Sequence, residues 1–219
     1  MTKFRFPHSL FAQISREARR YFRNARGSHG WDHTMRVDKL CQRIGRKEKA
    51  DLAVLRLAAL LHDIGREEED RTNGEICHGE RGAALARDIL VRYAVPAELT
   101  ERVIHCIESH RFRRNKAPLT LEAKILFDAD KLDSIGAVGI GRAFLFAGEV
   151  GARLHNPERD LKKTKPYTKE DTAYREFEIK LRHIQSRLHT REGKRIARDR
   201  HKFMVVFFDR LDKEIKGLR

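Results

Sequence analysis

Between residues 51 and 66 the sequence reads Asp-Leu-Ala-Val-Leu-Arg-Leu-Ala-Ala-Leu-Leu-His-Asp-Ile-Gly-Arg, and no other stretch constrains the fold as much. Leucine and alanine dominate it, Arg56 is the one charge between Leu52 and Leu61, and Gly65 is a stop signal. The pattern predicts a helix buried on most of its sides. His62 and Asp63 close that helix inside the apolar layer. A buried carboxylate is costly unless it is paired or bound to a metal. The dipeptide alone admits two readings: a loop anchor beside a packed histidine, or a metal-binding pair.

The rest of the chain offers more helices and no convincing strand alternation. Residues 4–24 carry Leu10, Phe11, Ile14, Ala18, Tyr21 and Phe22 at helical spacing. After a turn at residues 27–30, a second helix runs from Trp31 to about Lys47, with Asp32 as a cap or first-turn acid. His33, Arg36, Val37, Leu40 and Ile44 fall at three- and four-residue steps, so His33 should face inward with the apolar residues. The acidic run 67–70 and Asn73-Gly74 read as a loop. A fourth helix follows Cys77-His78 to about Tyr93, and a fifth begins at Pro96, with Val103, Ile104 and Ile107 on its inner face before His110. Residues 111–116 read as a basic loop.

A sixth helix, residues 121–132, brings Asp128, Asp130 and Asp133 close together in otherwise apolar sequence. Two aspartates two positions apart cannot both point straight inward from a regular helix. Asp130 lies four residues after Leu126 and three after Phe127, which favours it over Asp128. The glycine-rich helix that follows, from Ser134, has neither Rossmann nor Walker spacing, so it is not a phosphate loop. Residues 151–168 read as a long basic loop. Two last helices, about 169–188 and 192–217, carry apolar stripes: Phe177, Leu181 and Ile184, then Ile196, Phe203, Val206, Phe207 and Leu211. The expectation is an all-α helical bundle of one domain, with a metal-binding core at about 28–150 and C-terminal helices packed on it.

Charge and cysteine usage narrow the function classes. Forty-seven Lys and Arg against 32 Asp and Glu give a net charge of +15. Such a surface attracts polyanions, whether nucleotides or nucleic acid, although the charge is spread along the chain rather than gathered in a tail. Cys41, Cys77 and Cys106 are odd in number and form no CxxC pair, which suits reduced thiols in a cytoplasmic protein. No signal-peptide pattern and no apolar run of membrane-spanning length are present.

His33, the His62-Asp63 pair and Asp130 form the ordered pattern H…HD…D. This resembles the HD-domain superfamily of metal-dependent phosphohydrolases. Trp31-Asp32-His33-xx-Arg36-Val37, His62-Asp63-Ile-Gly65, and Asp128-Ala-Asp130-Lys131-Leu132-Asp133-Ser-Ile-Gly136-Ala look most like its YedJ-like bacterial branch. The likeness extends to Thr190-Arg-Glu-Gly193-Lys-Arg-Ile-Ala197 and Arg200-His-Lys-Phe203-Met204, and so spans most of the chain.

The resemblance implies an all-helical fold in which His33, His62, Asp63 and Asp130 hold a divalent metal. Two imidazoles and two carboxylates suit manganese, iron, cobalt or magnesium better than a thiolate-rich zinc site would, with one ion expected and a second possible. It further implies attack of metal-activated water on the phosphorus of a nucleotide or similar small phosphate ester. His78 and His110 could bind phosphate, shuttle a proton or help hold a second metal, or simply be packed. Arg66 could neutralise phosphate charge or form a salt bridge within the acidic run, and Lys131 could do the former or pair with Asp128. Asp133 would orient a ligand or cap the next helix. Two alternatives stay open: a nucleic-acid phosphodiesterase, and a non-catalytic nucleotide-binding module.

Overall fold

The computed structural model describes residues 7–25, 27–72, 75–111, 116–156 and 160–219. All regular elements among them are helical. None of these helices is long and apolar enough to cross a membrane. The chain forms two compact units, one ending at Asp130 and the other beginning at Lys131.

The first unit contains α1 (His8–Arg19), α2 (Trp31–Glu48), α3 (Leu52–Leu61), α4 (Arg66–Arg71), α5 (His78–Arg92), α6 (Ala97–Ser109) and most of α7 (Leu121–Asp133). Its centre is α3. Asp51 caps this helix, its carboxylate accepting from the amides of Ala53 (2.9 Å) and Val54 (3.4 Å). From Val54 to Leu61 every residue except Arg56 is fully enclosed, because α3 packs against α1, α2, α5 and α6. Burying each of the larger aliphatic side chains is worth about 1.5–3 kcal/mol, so this enclosure is the unit's main driving force. Arg56 escapes by laying its guanidinium over the Phe11 ring, 3.7 Å from the centroid.

α3 stops at Leu61, and residues 62–65 turn the chain into α4. Gly65 makes that turn possible. A Cβ there would lie 2.6 Å from both the amide nitrogen of Gly82 and the carbonyl oxygen of His78. The turn therefore presses backbone to backbone against the first turns of α5, and it carries His62 and Asp63 to the side of His78.

The second unit holds the last residues of α7, then α8 (Gly136–Glu149), α9 (Ala173–Ile179), α10 (Arg191–Ile215) and three short 3-10 turns. Its core joins α8, α9 and α10, with the Phe177 and Phe208 rings stacked at 4.4 Å. Gly136 has φ of +78°, and a Cβ on it would meet Arg200 Cγ at 2.9 Å. The Arg200 guanidinium in turn donates to the Leu132 carbonyl. Arg175 is buried and ties down the segment before α9. It donates to Thr164 Oγ1 (2.6 Å), the Thr164 carbonyl (3.1 Å) and Asp171 (2.8 Å).

Several expectations need correction. The acidic run is not loop but helix α4. The helix expected over 169–188 is only α9, followed by 3-10 turns at Leu181–His183 and Gln185–Arg187. That stretch contains no breaker, so burial of Leu181, Ile184 and Leu188 overrides its α-propensity. On α10 the buried apolar side chains are Ile196, Ala197, Met204 and Phe208, whereas Phe203 and Val206 are 52% and 60% exposed. Six consecutive apolar residues, 203–208, hid the phase. Of the two places open to Asp32 it takes the first turn, as an acid at the positive end, while Gly30 holds the cap; Arg36, expected on the inner face, turns outward to pair with it. Asp133 accepts from Arg142 of α8 (2.9 Å), rather than capping that helix, whose cap position is Ile135. Phe4, Asn73-Gly74, Pro157 and most of the 111–116 basic stretch lie outside the described residues.

Candidate metal centre

Six of the residues singled out in the sequence meet in the first unit. His33 lies in the first turn of α2, His62 and Asp63 follow α3, His78 opens α5, His110 follows the end of α6, and Asp130 comes from α7. All but Asp130 are at most 1% exposed, and the Asp130 side chain is 15% exposed, which gives the cluster one edge toward solvent. Two groups have ligand atoms within 4.8 Å of one another: His33, His62 and Asp130, and then Asp63, His78 and His110.

Asp63 joins the groups. Its Oδ2 lies 3.6 Å from Nε2 of His33 and 3.6 Å from Nε2 of His62. Its Oδ1 lies 3.3 Å from Nε2 of His78 and 3.7 Å from Nε2 of His110. Asp130 Oδ1 is 3.4 Å from His33 Nε2. Asp128 is fully buried but belongs to neither group, in keeping with the helical phase that separates it from Asp130.

The histidine tautomers follow from what their other nitrogens touch. His62 Nδ1 donates to the Ala59 carbonyl at 2.8 Å, His110 Nδ1 to the Ile107 carbonyl, and His78 Nδ1 to Glu69. In the neutral tautomers that these bonds fix, each Nε2 carries a lone pair. Yet His62 Nε2 faces His33 Nε2 at 3.4 Å, and His78 Nε2 faces His110 Nε2 at 3.2 Å. The lone pairs of His78 and His110, turned on one another beside a carboxylate, are a poor arrangement by themselves and a good one around a cation. The spacing fits too. Adjacent ligands on an ion with bonds of about 2.1 Å lie about 3.0 Å apart in octahedral and about 3.4 Å in tetrahedral geometry.

Burial and charge set the protonation states that a cation needs. Burial pushes His62 down to about 4. It pushes His78 down to about 3, with Arg66 adding to the effect. For Asp63 burial works against the charge, but Arg66 and the surrounding histidines hold the carboxyl well below the usual range. Glu69 is likewise opposed by burial, yet the hydrogen bond from His78 and the neighbouring arginines bring it down to about 2. Near neutral pH His62 and His78 are therefore neutral, and Asp63 and Glu69 are ionised.

Arg66 spans Asp63, with Nη2 at 3.1 and 3.3 Å from its two oxygens, and reaches Glu69 at 3.4 Å. Its Nε is buried with no hydrogen-bond partner among the described residues. Lys131 follows Asp130 on α7, partly exposed, and belongs to the second unit. Sequence reasoning missed Glu69, which binds His78 and also Arg111 (2.8 Å). A signal was present: Asp63, Arg66 and Glu69 fall at three-residue steps, the spacing of one helical face.

The low values of His62 and His78 carry a consequence for the metal-free protein. Unfolded, both histidines would titrate near 6.5; folded, they stay neutral to about 4 and about 3. The unfolded chain therefore binds more protons below pH 6.5, and each histidine removes up to about 1.4 kcal/mol of stability per pH unit of descent. Urea titrations of EDTA-stripped protein should show a midpoint that drops between pH 7 and pH 5. An unchanged midpoint would show that these imidazoles are not held neutral.

The chain also resembles known proteins along most of its length. A family model described as HD domain matches residues 30–135. The protein YpgQ of Bacillus subtilis is 37% identical over 195 residues, covering 87% of this chain and 86% of its own. A crystal structure of Bacillus subtilis YpgQ in complex with ADP superposes with a TM-score of 0.74 at 32% identity, covering 95% of this chain and 100% of that one. A crystal structure of an HD-superfamily hydrolase from Bacillus thuringiensis gives a TM-score of 0.73 at 25% identity over 95% of this chain and 97% of the other.

Proposed function

This chain belongs to the HD-domain family, and on that premise we propose that it is a metal-dependent phosphohydrolase acting on a nucleotide. The observation that carries the proposal is the split carboxylate of Asp63, one oxygen facing each pair of imidazole Nε2 atoms. His33, His62, Asp63 and Asp130 would hold one divalent ion. Asp63, His78 and His110 would hold a second. No thiolate joins either group, which suits a manganese- or iron-like ion better than a structural zinc. When bound, such an ion supplies Lewis acidity and acidifies a water for attack on phosphorus.

The chain's own residues do the remainder. Asp63 stays ionised because Arg66 lies across it, so the central ligand is ready at neutral pH. Arg66 keeps a buried Nε–H without a partner among the described residues, a donor suited to a phosphate oxygen. Arg111, held beside His78 through Glu69, adds a second cationic group on the same side. The ADP bound by the Bacillus subtilis relative supports a nucleotide as the phosphate carrier.

The net charge of +15 keeps a nucleic-acid substrate as the second reading. Rates on nucleoside mono-, di- and triphosphates and on short single-stranded oligonucleotides, at low and near-physiological salt, separate the two. Nucleotide turnover should vanish with EDTA and return with Mn²⁺ at least as well as with Mg²⁺. Asp130→Asn should abolish it, whereas Asp128→Asn should leave a measurable fraction. Oligonucleotide cleavage that outpaces every nucleotide at the higher salt would select the second reading. Metal bound without any turnover would leave a binding module.

A further inference from the structure

We propose that Glu69 is a positioning residue for the metal centre, which through His78 sets the affinity of the second ion. The assignment rests on the two-ion reading above. Glu69 lies on α4, a six-residue helix that follows directly from the His62-Asp63 turn. Its side chain is only 12% exposed, and both carboxylate oxygens are committed. Oε2 accepts from His78 Nδ1 and lies 3.4 Å from Arg66 Nη1. Oε1 accepts from Arg111 Nη1 at 2.8 Å. One carboxylate thus touches the start of α5, the residue after His110, and the arginine that lies across Asp63.

Two effects follow from those contacts. The bond to Nδ1 fixes the His78 tautomer and ring orientation, so that Nε2 points its lone pair at His110 (3.2 Å) and Asp63 Oδ1 (3.3 Å). A carboxylate behind a ligating imidazole also raises its basicity. In addition, Glu69 shares Arg66 with Asp63. Without Glu69, Arg66 and Arg111 would lose their common anion, and Arg66 would lean more fully on Asp63, competing with a cation for the oxygen nearest His78. The ligand that Glu69 touches is His78, which belongs to the second group, so its loss should fall on the second ion and not the first.

The test titrates metal-stripped protein with Mn²⁺ and counts bound ion from the electron paramagnetic resonance signal of free Mn²⁺. Wild type should bind two equivalents and His78→Ala one. Glu69→Ala should keep the first equivalent unchanged and weaken the second by about 10–100-fold. Glu69→Gln, which still offers an amide oxygen to His78 Nδ1, should recover part of that affinity. A merely structural salt-bridge hub would lower thermal stability while weakening both equivalents alike, and that result would overturn the assignment. So would a Glu69→Ala protein that binds both equivalents as wild type does, with His78→Ala losing one; the two-ion reading would then survive without Glu69. A single equivalent in wild type would overturn the two-ion reading and this assignment with it. Should Glu69→Ala fail to fold by circular dichroism, Glu69→Gln carries the test: a weakened second equivalent beside an intact first supports the role, and two unchanged equivalents refute it.

Discussion

Asp63→Asn is expected to leave a folded protein that binds almost no divalent metal and has lost metal-dependent hydrolysis by on the order of 10³-fold or more. The substitution changes little in shape and much in charge. The two Asp63 oxygens face four imidazole nitrogens at 3.3–3.7 Å, and an asparagine can offer only one acceptor in that place. Its amide group would instead point hydrogens at one of the two pairs, where a cation should sit. Both ion sites are therefore damaged by a single atom's replacement, whereas a change at His33 or His110 reaches one pair alone. Arg66 retains Glu69 as a partner, so the buried guanidinium is not left without an anion. Elemental analysis beside the nucleotide assay checks the result. Equal metal content in wild type and variant would remove Asp63 from the centre.

Gly65→Ala should produce the largest structural effect of any single methyl group in the first unit. The added carbon would arrive 2.6 Å from the Gly82 amide and from the His78 carbonyl, both backbone, and backbone cannot swing aside as a side chain does. Overpacking of this kind costs about 1–3 kcal/mol, and sometimes more. Relief requires α5 to move away from the 62–65 turn, which carries His78 from Asp63. A displacement of about 1 Å at a reacting centre can cost about 10²-fold in rate. Gly141→Ala is the control, since nothing lies within 4 Å of its Cβ position in the middle of α8. There the change should be neutral or stabilise by up to about 1 kcal/mol. Chemical denaturation and the nucleotide assay on both variants decide. A Gly65→Ala protein as stable and active as wild type would show that the turn and α5 are not in the contact described.

The residues of the centre were legible in sequence because each depends on a local rule. An inward His33 needs only the period of α2, and the choice of Asp130 over Asp128 only the period of α7. His62 and Asp63 stand out because they close an apolar helix. What was not legible depends on contacts between distant segments. Glu69 lies in a run of four acids, where its three-residue step from Arg66 and Asp63 is the one local hint; its approach to His78 and Arg111 depends on where α5 and α6 lie. Gly65 resembled a stop signal, and its apposition to Gly82 could not be inferred without knowing where α5 lies. The phase of α10 was lost because Phe203 to Phe208 are all apolar, so any face would serve until a partner helix chooses one.

The complete enclosure of α3 also sets a timescale. An amide hydrogen in that helix can meet solvent only when its neighbours part, and those neighbours are most of the unit's core. Its deuterium uptake should therefore follow global opening, the slowest class of exchange, while termini and loops exchange through local fraying. His62 and Asp63 hang from the end of this slow helix. Chelators would then strip the centre by catching ions that escape through the Asp130 edge, at a rate set by ion release and not by breathing of the scaffold.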